Sequence, residues 1–149
     1  MLIRRDRAMV AVTIVLDIAF HGGRSSTVSA AELADRLGMA RRGMEPLLQA
    51  LSRAGLLDSL RGPRGGYRLG RPRRDIKVAD IVAAATAEEE TGREAPGGRL
   101  QAGVVDPLWA ELETAADAHL AKLTIEDLLA RATAAGLRRP TAEPITFAI

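Results

Sequence analysis

Two short amphipathic helices separated by a glycine, with a glycine-rich turn close behind them, are the feature that most restricts the fold of this chain. The segment Ser29-Ala30-Ala31-Glu32 is typical of a helix start, because the Ser hydroxyl and the Glu carboxylate can each accept a hydrogen bond from the first turn. Gly38 is expected to end this helix. The next helix is predicted by an apolar stripe at i, i+3, i+4 and i+7, comprising Met44, Leu47, Leu48 and Leu51. Two short helices joined by a tight turn containing glycine predict a helix-turn-helix.

A β-hairpin with a positively charged tip is predicted directly after the second helix. Residues 56–60 and 66–69 have the composition of two short strands. The segment between them, Arg61-Gly62-Pro63-Arg64-Gly65, has the composition of a glycine-rich turn. Such a turn is a weak indication by itself, but its place after a helix-turn-helix indicates the wing of a winged helix.

Helices are also predicted on both sides of this unit. The nearly continuous apolar run 8–20 is long for a strand and predicts a helix. Val12, Val15, Leu16 and Ala19 fit one face of that helix. Residues 76–87 predict a short apolar helix.

The C-terminal part predicts a loop and then a long helix. Residues 88–105 contain several glycines and a run of glutamates, a composition that predicts a mobile loop. Asp106-Pro107 has the pattern of a helix start, with Asp as the N-cap and Pro at the first position. We expect the helix to restart at Thr124 with a cap of its own and to end at Gly136. The long helix carries an apolar stripe formed by Leu108, Leu112, Ala115, Ala116, His119, Leu120 and Leu123.

Charge is segregated along the chain. Residues 1–74 contain 14 Arg and no Lys against six acids, a net charge of +8. Residues 75–149 contain seven basic residues against 13 acids, a net charge of −6. A general preference for Arg explains Arg over Lys but not this segregation. A basic half joined to an acidic half indicates a polyanion-binding module attached to a carrier.

The composition excludes several kinds of site. The chain has no cysteine, which excludes disulfides, thiolate-held iron–sulfur clusters and a cysteine nucleophile. Its two histidines are too few for a histidine-rich metal site. No apolar run approaches the ~20 residues of a membrane span, so a cytoplasmic protein with no membrane partner is expected. The chain also lacks a Ser-His-acid grouping and a phosphate-binding loop before a helix. We therefore predict no enzyme activity, no catalytic residue, no metal ligand and no cofactor.

Seven side chains of the basic half are predicted to contact DNA. The second helix of a helix-turn-helix presents polar residues at its N-terminus to the major groove, where Arg can donate to guanine and Glu can accept from cytosine. An Arg at a narrow wing tip can enter the minor groove. For any one of these residues alone, a solvated charged surface would be the better explanation. The set comprises Arg41, Arg42, Glu45, Gln49, Arg61, Arg64 and Arg68.

Two residues of the second helix disfavour a helical backbone. Gly43 costs roughly 1 kcal/mol relative to Ala in a helix interior. Pro46 has no N–H to donate. Together they predict a late helix start, near Arg42 or Gly43, with Arg41 left on the turn.

The wing and its surroundings resemble a known family. The segment Ser59-Leu60-Arg61-Gly62-Pro63-Arg64-Gly65-Gly66-Tyr67-Arg68-Leu69 is similar to the wing of the Rrf-two family of bacterial transcription regulators. Residues 51–57 resemble the segment that precedes this wing. The family includes the iron–sulfur cluster regulator and the cysteine-metabolism repressor. The resemblance continues at Leu108-Trp109 and at residues 123–125, so it covers nearly the whole chain apart from the glycine-rich loop and the tail.

The resemblance implies a homodimer of winged-helix subunits that associate through the long helix from Asp106. Glu45 matches the family's recognition-helix acid, which contacts cytosines. Arg61 matches the wing Arg that enters the minor groove. The implied dimer interface comprises Leu108, Trp109, Leu112, Ala116, Leu120 and Leu123.

The chain departs from the cluster-binding members of that family. Those members carry three cysteines just before the dimer helix. The corresponding positions here are close to Thr91, Gly97 and Gly103, and none of them can supply a thiolate. The resemblance therefore does not extend to cluster sensing.

The sequence predicts a mostly α protein with a small β-hairpin wing: a winged helix-turn-helix domain plus a long dimerisation helix. Residues 1–74 are the predicted DNA-binding domain, and residues 75–149 hold a connecting helix, a flexible loop, the dimerisation helix and a loose C-terminal tail. The predicted function is that of a homodimeric repressor, without an iron–sulfur cluster, that binds a palindromic operator in double-stranded DNA. The alternative is a protein-interaction adaptor on the same scaffold. The sequence leaves open whether a small molecule or a protein acts as an effector.

Overall fold

The computed structural model describes residues 7–22, 25–87 and 95–138, which form six α-helices and one β-hairpin. The prediction of a mostly α protein with a small hairpin is confirmed. A 3-10 turn at Arg73–Asp75 precedes α4, and a π-helical turn at Gln101–Val105 leads into α5. The elements are α1 (Arg7–His21), α2 (Ala30–Leu37), α3 (Arg41–Arg53), β1 (Leu57–Leu60), β2 (Gly66–Leu69), α4 (Val78–Thr86), α5 (Asp106–Ala121) and α6 (Ile125–Ala134).

Helix α1 lies at the centre of the one hydrophobic core that the described residues form. It packs against α2, α3, α4, α6 and β2. Ile14 and Ile18 are fully buried, whereas Val12 and Leu16, which the sequence placed on the apolar face, are only half-buried. The buried surface of α1 is wider than one stripe because neighbours pack on several sides of the helix.

The core extends past the predicted boundary at residue 74. Ile76 and Ile125 are fully buried in the same cluster as α1. Two backbone hydrogen bonds join the start of α4 to the start of α6: Val78 N–H donates to the Leu123 carbonyl and Ile125 N–H donates to the Ile76 carbonyl, both at 2.9 Å. Helix α6 is thereby fixed against the winged helix. The division at 74–75 stays a prediction about which part of the chain contacts DNA.

The loop predicted at 88–105 is wrong for its second half. The chain is helical from Arg99 onward and passes through the π turn directly into α5. The glycines that suggested a loop include Gly103, which lies inside this turn. Residues 88–94 and the predicted C-terminal tail lie outside the described residues.

The helix cap predicted at Asp106 is also wrong. Its backbone is α-helical, with φ −60° and ψ −46°, and its N–H donates to the Gln101 carbonyl. Its carboxylate accepts from Gln101 Nε2 at 2.8 Å. Pro107 follows the π turn, whose wider spacing accommodates a residue that has no N–H to donate. The caps predicted at Thr124 and Gly136 are confirmed: Thr124 and Asp127 form a reciprocal capping box, and Gly136 has a φ of +83°.

Replacing Ile125 by alanine tests whether α6 belongs to the core. The Ile125 side chain is fully buried, so we expect its truncation to lower the unfolding free energy by ~2–5 kcal/mol. Urea unfolding at one fixed protein concentration measures this loss. The control is Leu60→Ala on the wing, where the side chain is 37% exposed and we expect a clearly smaller loss. Equal losses in the two variants would contradict a core that includes α6.

Candidate DNA-binding surface

The capping box predicted for α2 is confirmed. Glu32 N–H donates to Ser29 Oγ at 3.1 Å, and Ser29 N–H donates to Glu32 Oε2 at 2.8 Å. Gly38 follows the helix with a φ of +63°, in the left-handed region that glycine adopts without strain. The turn between α2 and α3 is therefore encoded locally.

An ion pair that sequence reasoning missed fastens α2 to α1. Arg36 donates to both carboxylate oxygens of Asp17 through Nε, at 3.0 and 3.1 Å, and to Oδ1 through Nη2 at 2.7 Å. The hydrogen bond to Asp17 raises the pKa of Arg36 above its ordinary value. Asp17 and Arg36 are 19 residues apart, and no local pattern indicates that they pair.

Helix α3 has one buried face and one exposed face. Its predicted stripe is buried, and the polar side chains predicted to contact DNA are exposed. At 100° per residue, these side chains lie within about 100° of arc, so one groove can receive them together. They are Arg41, Arg42, Glu45 and Gln49.

The late start predicted for α3 is wrong. The helix begins at Arg41, with Ala40 as N-cap and no side-chain cap. Pro46 lies in the second turn and leaves the Arg42 carbonyl without its helical donor. Pro46 and Arg42 are both exposed, so water can take the place of the missing donor and the helix continues.

The wing is a two-stranded antiparallel hairpin, as predicted. Leu57 pairs with Leu69, and Leu60 pairs with Gly66. Arg61 and Arg64 are exposed at the tip. Gly62 has a φ of +110°, and its carbonyl accepts from Gly65 N–H at 2.8 Å.

Arg68 differs from the two arginines at the tip. It lies on β2 opposite Asp58, and its Nε is 3.6 Å from Asp58 Oδ2. Both side chains are about half exposed, so the pair is weak. The Asp58 carboxylate nevertheless offsets part of the Arg68 charge.

Backbone hydrogen bonds hold the wing against the segment before α2. Val28 N–H donates to the Tyr67 carbonyl and Tyr67 N–H donates to the Val28 carbonyl, both at 2.8 Å. Thr27 Oγ1 donates to the Arg64 carbonyl at 2.9 Å. A Cβ on Gly66 would lie 2.5 Å from the Val28 carbonyl oxygen, so this approach requires glycine. No local pattern in the sequence predicts this third strand-like segment.

The segment that leaves the wing is tied to the end of α3. Arg71 Nη2 donates to the Ala54 carbonyl at 3.2 Å, at the C-terminus of that helix. Gly70 N–H donates to the Leu56 carbonyl at 3.0 Å. These bonds fix the wing relative to α3.

The charged groups of this surface are available to an external partner. In the part of the chain that the structure describes, Arg41, Arg42, Glu45, Arg61 and Arg64 have no side-chain ion-pair or hydrogen-bond partner. No group of three or more metal-ligating side chains within the described ranges could hold a metal ion. None of the described helices is long and apolar enough to cross a membrane.

Helix α5 leaves its apolar side chains in solvent. None of its 16 residues is buried. Leu108, Trp109 and Leu112 are 46%, 40% and 43% exposed. Of the other predicted interface residues, Ala116, Leu120 and Leu123 are half-buried.

A family model described as "Rrf2: Iron-dependent Transcriptional regulator" matches residues 5–131. The chain belongs to the Rrf2 family. It is 34% identical over 127 residues to the HTH-type transcriptional regulator IscR of Vibrio atlanticus, and the match covers 83% of this chain and 73% of that protein. Membership confirms the family that the wing segment indicated.

Solved structures of related regulators have the same fold. IscR of T. potens is 30% identical, with a TM-score of 0.69 over 88% of each chain. CymR, the global cysteine regulator of B. subtilis, is 26% identical, with a TM-score of 0.67 over 88% of this chain and 98% of that chain. This Rrf2 protein is thus a DNA-binding transcription regulator with a winged-helix fold, and it is not an enzyme.

Substituting two glycines should change stability in opposite directions. In Gly66→Ala the new Cβ meets the Val28 carbonyl, so the Val28–Tyr67 hydrogen bonds must stretch, and we expect a loss of ~1–3 kcal/mol. In Gly43→Ala, on exposed α3, the nearest atom is Met39 Cε at 3.9 Å, and we expect a gain of up to ~1 kcal/mol. Thermal unfolding of both variants measures these changes: we expect a lower melting temperature for Gly66→Ala and a higher one for Gly43→Ala. A Gly66→Ala variant as stable as the wild type would contradict the close approach of the wing.

Proposed function

We propose that this regulator is a homodimeric repressor in which α3 and the wing of each subunit contact one half of a palindromic operator. In this proposal residues 1–74 supply the DNA contacts and the second half supplies the dimer. The observation that carries it is the set of exposed charges on α3 and the wing tip that have no partner among the described residues. An adaptor that works through the acidic half of the chain does not require such a set on these two elements.

Helix α3 enters the major groove in this proposal. Arg41 and Arg42 donate to guanine or to phosphates, and Gln49 contacts adenine or a phosphate one turn further on. Glu45 lies among these cations with no partner among the described residues. A carboxylate repels phosphate, so its presence on this face is explained if it accepts a hydrogen bond from a cytosine amine.

The wing supplies affinity through the neighbouring minor groove. Arg61 and Arg64 are exposed at the tip, and the negative potential of a narrow minor groove attracts such charges. Arg68 shares its charge with Asp58 and contacts the backbone more weakly.

The second copy covers the apolar face of α5. Leu108, Trp109 and Leu112 are large exposed apolar side chains on one long helix, and a symmetric partner would bury them. Ala116, Leu120 and Leu123 continue this face toward α6.

Two considerations support repression and a function without an iron–sulfur cluster. Blocking a promoter needs only occupancy of the DNA, whereas activation needs further contacts with polymerase. The chain has no cysteine, so it has no thiolate for a cluster. Any signal must therefore act through another kind of site.

Glu45→Ala should reduce specificity. We expect weaker binding to an operator selected by the wild type from random duplexes, by ~1–3 kcal/mol, since one base contact is lost. Binding to a scrambled duplex should be equal or tighter, since one negative charge is removed. Fluorescence anisotropy on both duplexes measures this. The control is Asp35→Ala, an exposed acid on α2. An equal loss on both duplexes would make Glu45 structural.

Arg61→Ala should reduce affinity and its salt dependence. We expect weaker operator binding and a smaller slope of log affinity against log salt, by about 1, because one phosphate-region contact is lost. The variant should also lose part of its sequence preference, because the width of the minor groove depends on the DNA sequence. Titrations at several salt concentrations give the slope. Arg131→Ala on α6 removes the same charge elsewhere and should leave the slope unchanged; a similar change in both variants would reject a role for the wing.

Leu112→Asp should dissociate the dimer. A charge in an apolar interface has no partner to offset its loss of water. Sedimentation at micromolar concentration should give twice the chain mass for the wild type and the chain mass for the variant. The control is Leu137→Asp, a large exposed side chain outside α5 that is 60% exposed. A monomeric wild type would reject the two-half-site proposal.

A further inference from the structure

A pocket lies between the end of α1, helix α6 and the segment that leaves the wing. Its volume is about 490 Å³, within the range of small-molecule sites in proteins, roughly 300–1,000 Å³. It has an apolar wall and a charged rim. The apolar side chains are Phe20, Leu129 and Leu137, and the charged ones are Arg73, Glu126 and Arg138.

The way α6 ends builds one wall of this pocket. Gly136 N–H donates to the Thr133 carbonyl and Leu137 N–H donates to the Ala132 carbonyl, both at 3.0 Å. With the positive φ of Gly136, these bonds form a Schellman motif, which reverses the chain after the helix. The reversal places Leu137 and Arg138 beside the last turn of α6. This wall is therefore part of a hydrogen-bonded cap.

The charges at the rim favour an anion. Arg73 Nε lies 3.5 Å from Glu126 Oε1, and because both side chains are about half exposed, the Glu126 carboxylate offsets only part of the Arg73 charge. Arg138 has no ion-pair or hydrogen-bond partner within the described residues. The charged side chains among the described lining residues thus sum to one positive charge next to an apolar wall. A guanidinium holds a carboxylate through charge-assisted hydrogen bonds.

We propose that this pocket binds a small monocarboxylate with an apolar body. The carboxylate lies on Arg138 with Arg73 beside it, and the hydrocarbon part lies against Phe20 and Leu129. The Thr133 hydroxyl donates to the Leu129 carbonyl, so it is not a free donor for the ligand. A strongly hydrated inorganic anion would leave the apolar wall unused.

The position of the pocket links it to both parts of the molecule. Arg73 follows two residues after Arg71, which donates to the Ala54 carbonyl at the end of α3. Helix α6 follows α5 after a short turn. A ligand that contacts Arg73 and α6 together would therefore change the position of the DNA surface relative to α5. This coupling rests on the proposed function, whereas ligand binding does not.

Nuclear magnetic resonance on the full chain tests binding directly. The probes are 4-methylpentanoate and benzoate, each compared with its uncharged amide, 4-methylpentanamide and benzamide. We expect saturable shifts of the Ala130, Thr133 and Leu137 amide signals with both carboxylates. The amides should bind about tenfold more weakly, because they lose the charge-assisted bond. No saturable response to either carboxylate, or equal binding of acids and amides, would overturn the proposal.

Three variants locate the response. Ala130→Trp fills the pocket from an exposed position and should abolish it, with circular dichroism confirming the fold. Arg138→Gln should weaken carboxylate binding about tenfold and leave amide binding unchanged. Arg131→Gln, on the same helix outside the pocket, is the control for charge and should bind like the wild type. A response that survives Ala130→Trp, or that Arg131→Gln weakens as much as Arg138→Gln, would overturn the site.

Operator affinity is measured separately, with and without 4-methylpentanoate. A change that Arg138→Gln removes supports the coupling. Ligand binding with unchanged operator affinity would reject the coupling and leave the site in place. Failure of the wild type to bind any selected duplex would reject the proposed function and leave the ligand result standing.

Discussion

The packing of α1 on several sides is the constraint on which the other elements depend. Ile14 and Ile18 have no exposed surface, and α2, α3, α4, α6 and β2 all pack against this one helix. The buried side chains of these elements belong to one hydrophobic cluster among the described residues. The wing, the helix-turn-helix and α6 therefore share one support, and a change in α1 would displace the DNA surface and the α6 pocket together.

Structural features that depend on residues close together in the chain were predictable from the sequence. The α3 stripe, the capping boxes at Ser29 and Thr124, and the hairpin at 57–69 each depend on contacts within a few residues. The exposed side chains of α3 and of the wing tip followed from the same patterns. Most of the fold class and the outline of the candidate DNA surface come from this local information.

Contacts between distant residues were not predictable in the same way. Two such pairs come together only in the folded chain: Asp17 with Arg36, and Val28 with Tyr67. The wrong predictions at 99–106 and at the start of α3 have a related cause. Gly43 and Gly103 each disfavour a helix by only about 1 kcal/mol, and neighbouring helical residues outweigh them.

The π turn before α5 controls the direction in which side chains point. In a regular α-helix, residues four apart are offset by about 40°, so a stripe at 100, 104, 108 and 112 would wind around the axis. The extra residue of a π turn rotates the preceding segment back. Leu100 and Val104, 79% and 60% exposed, are thereby brought back toward the side of Leu108. Loss of one residue from 101–105 would convert the π turn into an ordinary α-helical turn, in which Leu100 lies seven residues before Leu108 and within about 20° of it around the axis. The segment before α5 therefore keeps its face with or without the extra residue.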